Sequence, residues 1–240
     1  MLESLRGREI VLAGGSGGIG TAVTKSLLEE GAKVIVSYLH QAERALALVP
    51  SECAVRADLA VVEDRRRLLD SAPSLYGLVI LAGVPARLKD PSLVSEMMLE
   101  SHRSNYEGPI LLAQEAAARM KRSGIAGSIV LLSTMQANAL FPGSTVYAAE
   151  KAALQHAARI LAKEYRGPGG VRINVVSPGV TAAGMAEASI AAGKYYRFIQ
   201  EGTIERFGHA DDVARAIRFF LEPDNYITGQ VLCVDGGMTL

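Results

Sequence analysis

A chain of 240 residues, 49% of them hydrophobic, can bury one sizeable core, and 25 basic against 25 acidic residues leave a formal net charge of zero. That balance argues against a nucleic-acid partner or an acidic membrane surface. No apolar run approaches the roughly 20 residues of a membrane span, and the first twenty residues carry no charged-then-apolar leader pattern, so a cytoplasmic protein is expected.

Short β-rich runs recur along the chain: EIVLA at 9–13, KVIVS at 33–37, CAVRA at 53–57, GLVILA at 77–82, GSIVLLS at 127–133, VRINVVS at 171–177 and QVLCVD at 230–235. Most are continuously apolar, as expected of strands covered on both faces. Between them lie stretches with helical periodicity, among them TAVTKSLLEEG with Gly31 as its stop, VEDRRRLLDSA, QEAAARMKRSG and AALQHAARILAKEY. The alternation predicts an α/β fold of the Rossmann kind: one domain over 1–240, with a doubly wound seven-stranded parallel sheet and helices on both faces. Residues 179–202 lack clear periodicity, so a substrate lid is expected over about 179–205, with Tyr195, Tyr196 and Phe198 as its aromatic part. Cys53 and Cys233 are expected to be buried reduced thiols. His40, His102, His156 and His209 stand apart with no ligand spacing, and no metal site is expected.

Behind the first strand, VLAGGSGGIG places five glycines within residues 14–20. At a strand-to-helix turn such glycines permit positive φ, admit a pyrophosphate to the backbone amides, and let the helix pack closely on the sheet. Gly15, Gly17 and Gly20 satisfy one dinucleotide spacing, and Gly14, Gly18 and Gly20 another. The second strand ends in Ser37, Tyr38, Leu39 and His40, without the carboxylate that binds a ribose 2′-hydroxyl. Its absence tilts the expectation slightly toward NADP(H) over NAD(H), with His40 and Arg44 as the nearest candidate cations, whereas Gly17 offers no charge. Asp58, after the third strand, is either a contact for the adenine amino group or a cap for the next helix.

Tyr147 and Lys151 lie four residues apart on one helical face. A phenol with a pKa of about 10 is a poor acid-base catalyst near neutrality, and a neighbouring ammonium favours its anion.

With these motifs in order, the sequence resembles the short-chain dehydrogenase/reductase family along nearly its whole length. AGGSGGIG at 13–20 is similar to the family's T-G-x-x-x-G-I-G with Ala13 for Thr, which selects Gly14, Gly18 and Gly20. The resemblance implies Tyr147 and Lys151 as catalytic residues, Thr134 at the usual catalytic Ser, and Asn105 as the helix Asn that supports a proton-relay water. It implies cofactor contacts from Gly14, Ser16, Gly18, Ile19, Gly20, Tyr38, Asp58, Leu59, Ala82, Gly83, Tyr147, Lys151, Pro178, Gly179, Val180 and Thr181. The C-terminal block ERFGHADDVARAIRFFLEPDNYITGQVLCVDGG is similar to that of 3-oxoacyl-carrier-protein-reductase-like members. The implied activity is NAD(P)(H)-dependent reduction of a ketone or 3-oxoacyl-type carbonyl to a secondary alcohol, or the reverse oxidation, in a homotetramer or homodimer.

Three departures stand out. Ile80 and Leu81 replace the family's Asn pair before Ala82 and Gly83, so packing must substitute for side-chain hydrogen bonds. Thr134 keeps the hydroxyl but adds a methyl, and Ala183 stands where the family often has a Thr. These changes motivate a rival expectation, a catalytically impaired dinucleotide-binding protein with a regulatory or assembly role.

Overall fold

The structure, a computed structural model, describes residues 4–85 and 94–240. Seven strands, β1 (Glu9–Ala13), β2 (Lys33–Tyr38), β3 (Ala54–Arg56), β4 (Leu75–Ile80), β5 (Ser128–Leu132), β6 (Arg172–Pro178) and β7 (Val231–Val234), form one sheet in the order β3-β2-β1-β4-β5-β6-β7. Every pairing in it is parallel. Between the strands run α1 (Gly18–Glu29), α2 (Ala42–Leu46), α3 (Val62–Asp70), α4 (Val94–His102), α5 (Gly108–Arg122), α6 (Thr145–Tyr165), α7 (Glu187–Ala191), α8 (Arg197–Gln200) and α9 (Ala210–Leu221).

Side chains alternate across a strand, so each strand feeds two cores. Val11 and Ala13 of β1 join Leu68 of α3, Leu112 and Ala116 of α5, and Leu154 and Ala158 of α6 on one face. Ile10 and Leu12 join Val23 and Leu27 of α1, Ala45 of α2, and Ile217 and Phe220 of α9 on the other. Each fully buried Leu or Ile stabilises by about 1.5–3 kcal/mol, so the two cores hold helices on both faces of the sheet. The α1 helix ends where Gly31 takes φ +82°, as its stop signal predicts.

Boundaries differ from the sequence pattern where the backbone turns early. The run GLVILA becomes β4 at Leu75–Ile80, because the amides of Leu81 and Ala82 leave the ladder and both donate to the Ala13 carbonyl oxygen, at 2.8 and 3.0 Å. The α9 helix lies outside the stretches picked out by periodicity. Its N-terminus is closed by a capping box between His209 and Asp212, with the His209 amide donating to Asp212 Oδ2 at 2.7 Å. The strand order reverses between β1 and β4, opening a crevice at the carboxyl ends of the strands.

The expectation of buried thiols fails in part: Cys53 is only partly buried and Cys233, on the edge strand β7, is exposed. An edge strand has cover on one flank only, which apolar sequence neighbours do not reveal. Burial still pushes both thiols above their ordinary pKa, helped by Glu52 beside Cys53 and Asp235 beside Cys233.

Candidate active site

A cleft of about 1190 Å³ opens at the crevice. Its floor is the turn from β1 into α1. Gly14 takes φ +85° and donates its amide to the Ser37 hydroxyl at 3.1 Å, so the buried Ser37 fixes the start of the loop from the neighbouring strand. A Cβ on Gly14 would meet the Ala82 nitrogen at 2.9 Å, and one on Gly20 would come within 2.5 Å of the Gly14 oxygen. Thr24 anchors the loop from below, its hydroxyl donating to the Gly15 carbonyl at 3.2 Å. Gly14, Ser16, Gly18, Ile19 and Gly20 all line the cleft, facing the first amides of α1 where an anion is favoured.

Tyr38, Asp58 and Leu59 line the far end of the cleft, together with His40 and Arg44. Asp58 serves its own turn, since Oδ1 accepts from the Ala60 amide at 2.9 Å, while Val61 is the residue that precedes α3. Leu59 is held from behind: buried Arg65 donates to its carbonyl at 2.8 Å and pairs with Glu115 of α5 at 3.0 Å.

The predicted proton-handling residues divide between wall and interior. Thr134 and Tyr147 line the cleft with Ala82 and Gly83, whereas Asn105 and Lys151 lie buried behind it. Gly83 separates the two layers: a Cβ there would come 2.7 Å from Asn105 Oδ1 and 3.5 Å from Lys151 Nζ. Asn105 Oδ1 accepts from the Val84 amide at 3.1 Å, and Nδ2 donates to the Val84 carbonyl at 3.0 Å and to Ser101 Oγ at 3.1 Å. It sits in a π-helical turn, Arg103–Glu107, at the junction of α4 and α5. Lys151 donates to the Leu132 carbonyl at 3.0 Å, and burial lowers its pKa from 10.5 to about 8. Ser133 donates to the Lys151 carbonyl at 3.2 Å and accepts from Gln155 at 3.0 Å, stitching α6 to the end of β5.

At the Asn-pair departure, packing and backbone act together. Ile80 is buried in one core and Leu81 packs against the other, while the two amides on Ala13 join β4 to β1.

Beyond β6, Pro178, Gly179, Val180 and Thr181 line the cleft. The Gly179 amide donates to the Val234 carbonyl at 2.9 Å, and the buried Thr181 hydroxyl donates to the Gly179 carbonyl at 3.2 Å. The aperiodic segment folds into α7 and α8 over a small core of Met135, Val180, Tyr195, Ile204, Phe207 and Met238. Tyr195 and Phe198 reach the cleft, but Tyr196 does not; its ring packs edge-on against Phe207 at 5.3 Å. The turn before α7 presses on the glycine loop, with Gly184 lying over Gly18. Sequence spacing did not single out Ser37, Ser133, Gln155 or Val84, because each acts through a partner distant in the chain, nor Ser101, whose hydroxyl accepts from Asn105 one helical turn on.

A family model described as enoyl-(acyl carrier protein) reductase matches residues 13–239. The chain is a short-chain dehydrogenase/reductase. It is 31% identical over 261 residues to NADPH-dependent aldehyde reductase 2, chloroplastic, of Arabidopsis thaliana, covering 98% of this chain and 95% of that one. It is 32% identical over 255 residues to 2-(S)-hydroxypropyl-CoM dehydrogenase 3 of Xanthobacter autotrophicus, covering 100% and 99%. A short-chain dehydrogenase from Burkholderia cenocepacia, solved in complex with NADP, superposes with a TM-score of 0.85 at 30% identity, covering 99% of this chain and 100% of that one.

This short-chain dehydrogenase/reductase is therefore an NAD(P)-dependent oxidoreductase. The cleft fits such a cofactor on its own chemistry: the glycine cradle excludes side chains, and the first residues of α1, whose amides favour an anion, line it. No described helix is long and apolar enough to cross a membrane.

Proposed function

We propose that this enzyme interconverts a ketone, of 3-oxoacyl type, and the corresponding secondary alcohol, using NADP(H) in preference to NAD(H). The observation that carries the proposal is the meeting of Thr134 and Tyr147 on one wall of the cleft with Lys151 buried behind them. When bound, the nicotinamide supplies or accepts the hydride. Thr134 holds the carbonyl oxygen through its hydroxyl, and Tyr147 gives that oxygen a proton as negative charge develops on it. Lys151 has three N–H donors and, among the described residues, gives one to the Leu132 carbonyl, which leaves it able to serve the nicotinamide ribose and to favour the Tyr147 anion. Asn105 acts through its turn: its carboxamide is committed to Val84 and Ser101, which fixes the π-helical segment Arg103–Glu107 where a relay water would be held.

Support for NADP(H) comes from the missing carboxylate after Tyr38 and from Arg44 and His40 on the cleft wall. Support for a 3-oxoacyl-type carbonyl comes from the C-terminal block alone. We further read the chain as one cytoplasmic domain whose lid spans 179–205, and as a homotetramer or homodimer, a state favoured by the exposed Leu99 of α4 and Ile160 of α6. The test is a fluorescence titration of purified protein with NADPH and NADH, followed by initial rates on acetoacetyl thioesters, diketones and quinones. Tight NADPH binding with no turnover of any carbonyl would overturn the enzymatic assignment in favour of a binding role.

A further inference from the structure

Two residues beyond Thr134 lies Gln136, in the single turn Met135–Ala137 that follows β5. Its amide donates to Thr134 Oγ1 at 3.4 Å, which fixes the turn to the very hydroxyl that holds the reacting oxygen. Its side-chain Oε1 accepts from the hydroxyl of Ser144, the residue that opens α6, three positions before Tyr147. Gln136, Ser144, Thr134 and Tyr147 all line the cleft. The carboxamide is thereby anchored by its oxygen. Its NH2 group, two donors on one nitrogen, has no partner among the described residues.

Phe141 and Pro142, close by in sequence, and Met185 and Phe198 line the same cleft as apolar residues. When a substrate fills such a space, an N–H left without an acceptor costs free energy, and an acceptor that meets it recovers that cost. The reacting oxygen is already served by Thr134 and Tyr147, so this donor is left for a different substrate atom.

We propose that Gln136 is a specificity-determining residue whose amide NH2 donates to a second oxygen of the substrate, close to the carbonyl being reduced. The site then favours ketones that carry a neighbouring carbonyl, carboxylate or hydroxyl oxygen over simple ketones. This rests on the carbonyl-reducing function proposed above. A site built to hydrogen-bond a substrate group discriminates strongly against analogues that lack it, because its own polar group is then left unpaired.

The test compares butanone with diacetyl and ethyl acetoacetate, using NADPH, in the wild type, Gln136→Leu and Gln136→Glu. Gln136→Glu keeps the shape and the oxygen anchor but removes the donor, so it also covers the case in which the Leu variant misfolds. NADPH titration of each variant verifies the cofactor half of the cleft. The expected result is that kcat/KM for a dicarbonyl, taken relative to butanone, falls about tenfold in both variants, mainly through KM. If that ratio is the same in the wild type and both variants, Gln136 is only a wall residue and the inference is overturned while the carbonyl-reducing function stands. If the wild type reduces none of the three compounds, the function on which the inference rests is overturned, and the inference with it.

Discussion

A methyl group placed on Gly18 would lie 2.4 Å from the backbone nitrogen of Gly184 and 2.8 Å from its Cα. The glycine that opens α1 is thus tied to the turn before α7 as well as to the floor of the cleft. Neither contact atom is the end of a flexible side chain, so Gly18→Ala must displace the turn before α7. We expect the variant to lose only a modest part of its thermal stability, since the preference of a helix for Ala over Gly, up to about 1 kcal/mol, offsets part of the cost of displacing that turn. Its lid should become more susceptible to limited proteolysis and its KM for carbonyl substrate should rise about tenfold. Gly17→Ala is the control: its Cβ meets nothing nearer than 3.4 Å, at φ −73°.

Tyr147→Phe should retain NADPH affinity within about twofold and lose roughly 10²–10⁴ in kcat, the range for a positioned general acid. Single-turnover hydride transfer followed at the nicotinamide absorbance checks it. Retention of most of the rate would remove the phenol from the proton path.

Lys151 carries a pH signature. Burial lowers its pKa from 10.5 to about 8, so between those values the unfolded chain binds a proton that the folded chain does not. Stability without cofactor therefore gains with rising pH across that window, and the cost of holding the cation in the fold is complete below about 8. The shift corresponds to about 3 kcal/mol. Urea denaturation at pH 7 and pH 10.5 should show Lys151→Met gaining on the wild type at the lower pH and losing that advantage at the higher one. A parallel pH response in the two proteins would contradict the burial effect.

The proposed preference for NADP(H) rests on Arg44 and His40 at the far end of the cleft. Arg44→Ala should weaken NADPH about tenfold and leave NADH unchanged, the loss expected for one charge-assisted hydrogen bond of about 1.5 kcal/mol. Gly17→Arg should strengthen NADPH by a similar factor. Paired titrations at two salt concentrations check both, because a phosphate contact weakens with ionic strength.

Asn105→Ala should destabilise the fold by about 1–3 kcal/mol, because it strips both the amide and the carbonyl of Val84 of their partner. Asn105→Asp keeps the acceptor for the Val84 amide but places a carboxylate oxygen against the Val84 carbonyl, so it should recover only part of that loss. Chemical denaturation of the three proteins checks the order.

The sheet was legible in the sequence because its strands are continuously apolar and the alternation with helices leaves one economical topology. The glycine turn and the Tyr147–Lys151 pair were legible because their spacing is local. What escaped was non-local: Ser37 holding Gly14, Arg65 holding Leu59, and Asn105 latching Val84 are contacts between segments that only the folded sheet brings together. Tyr196 was misplaced as a cleft residue because an aperiodic segment gives no period from which to tell its inward face from its outward one. Cys233 was misplaced because strand order, and so which strand lies at the edge, is not written in local composition.

The Ala13 carbonyl, which accepts from both Leu81 and Ala82, has a bearing on how the protein is made. The glycine turn is built from the first third of the chain, and Asn105, Thr134, Tyr147 and Lys151 all come after β4. The sheet joins the two halves at the seam between β1 and β4, a long-range pairing that closes late in a folding chain, and Arg65–Glu115 and Arg218–Glu30 tie their helices together. A nascent chain halted before β4 would carry the glycine loop yet lack its back wall, so acquisition of nucleotide affinity during refolding should report the joining of the two halves.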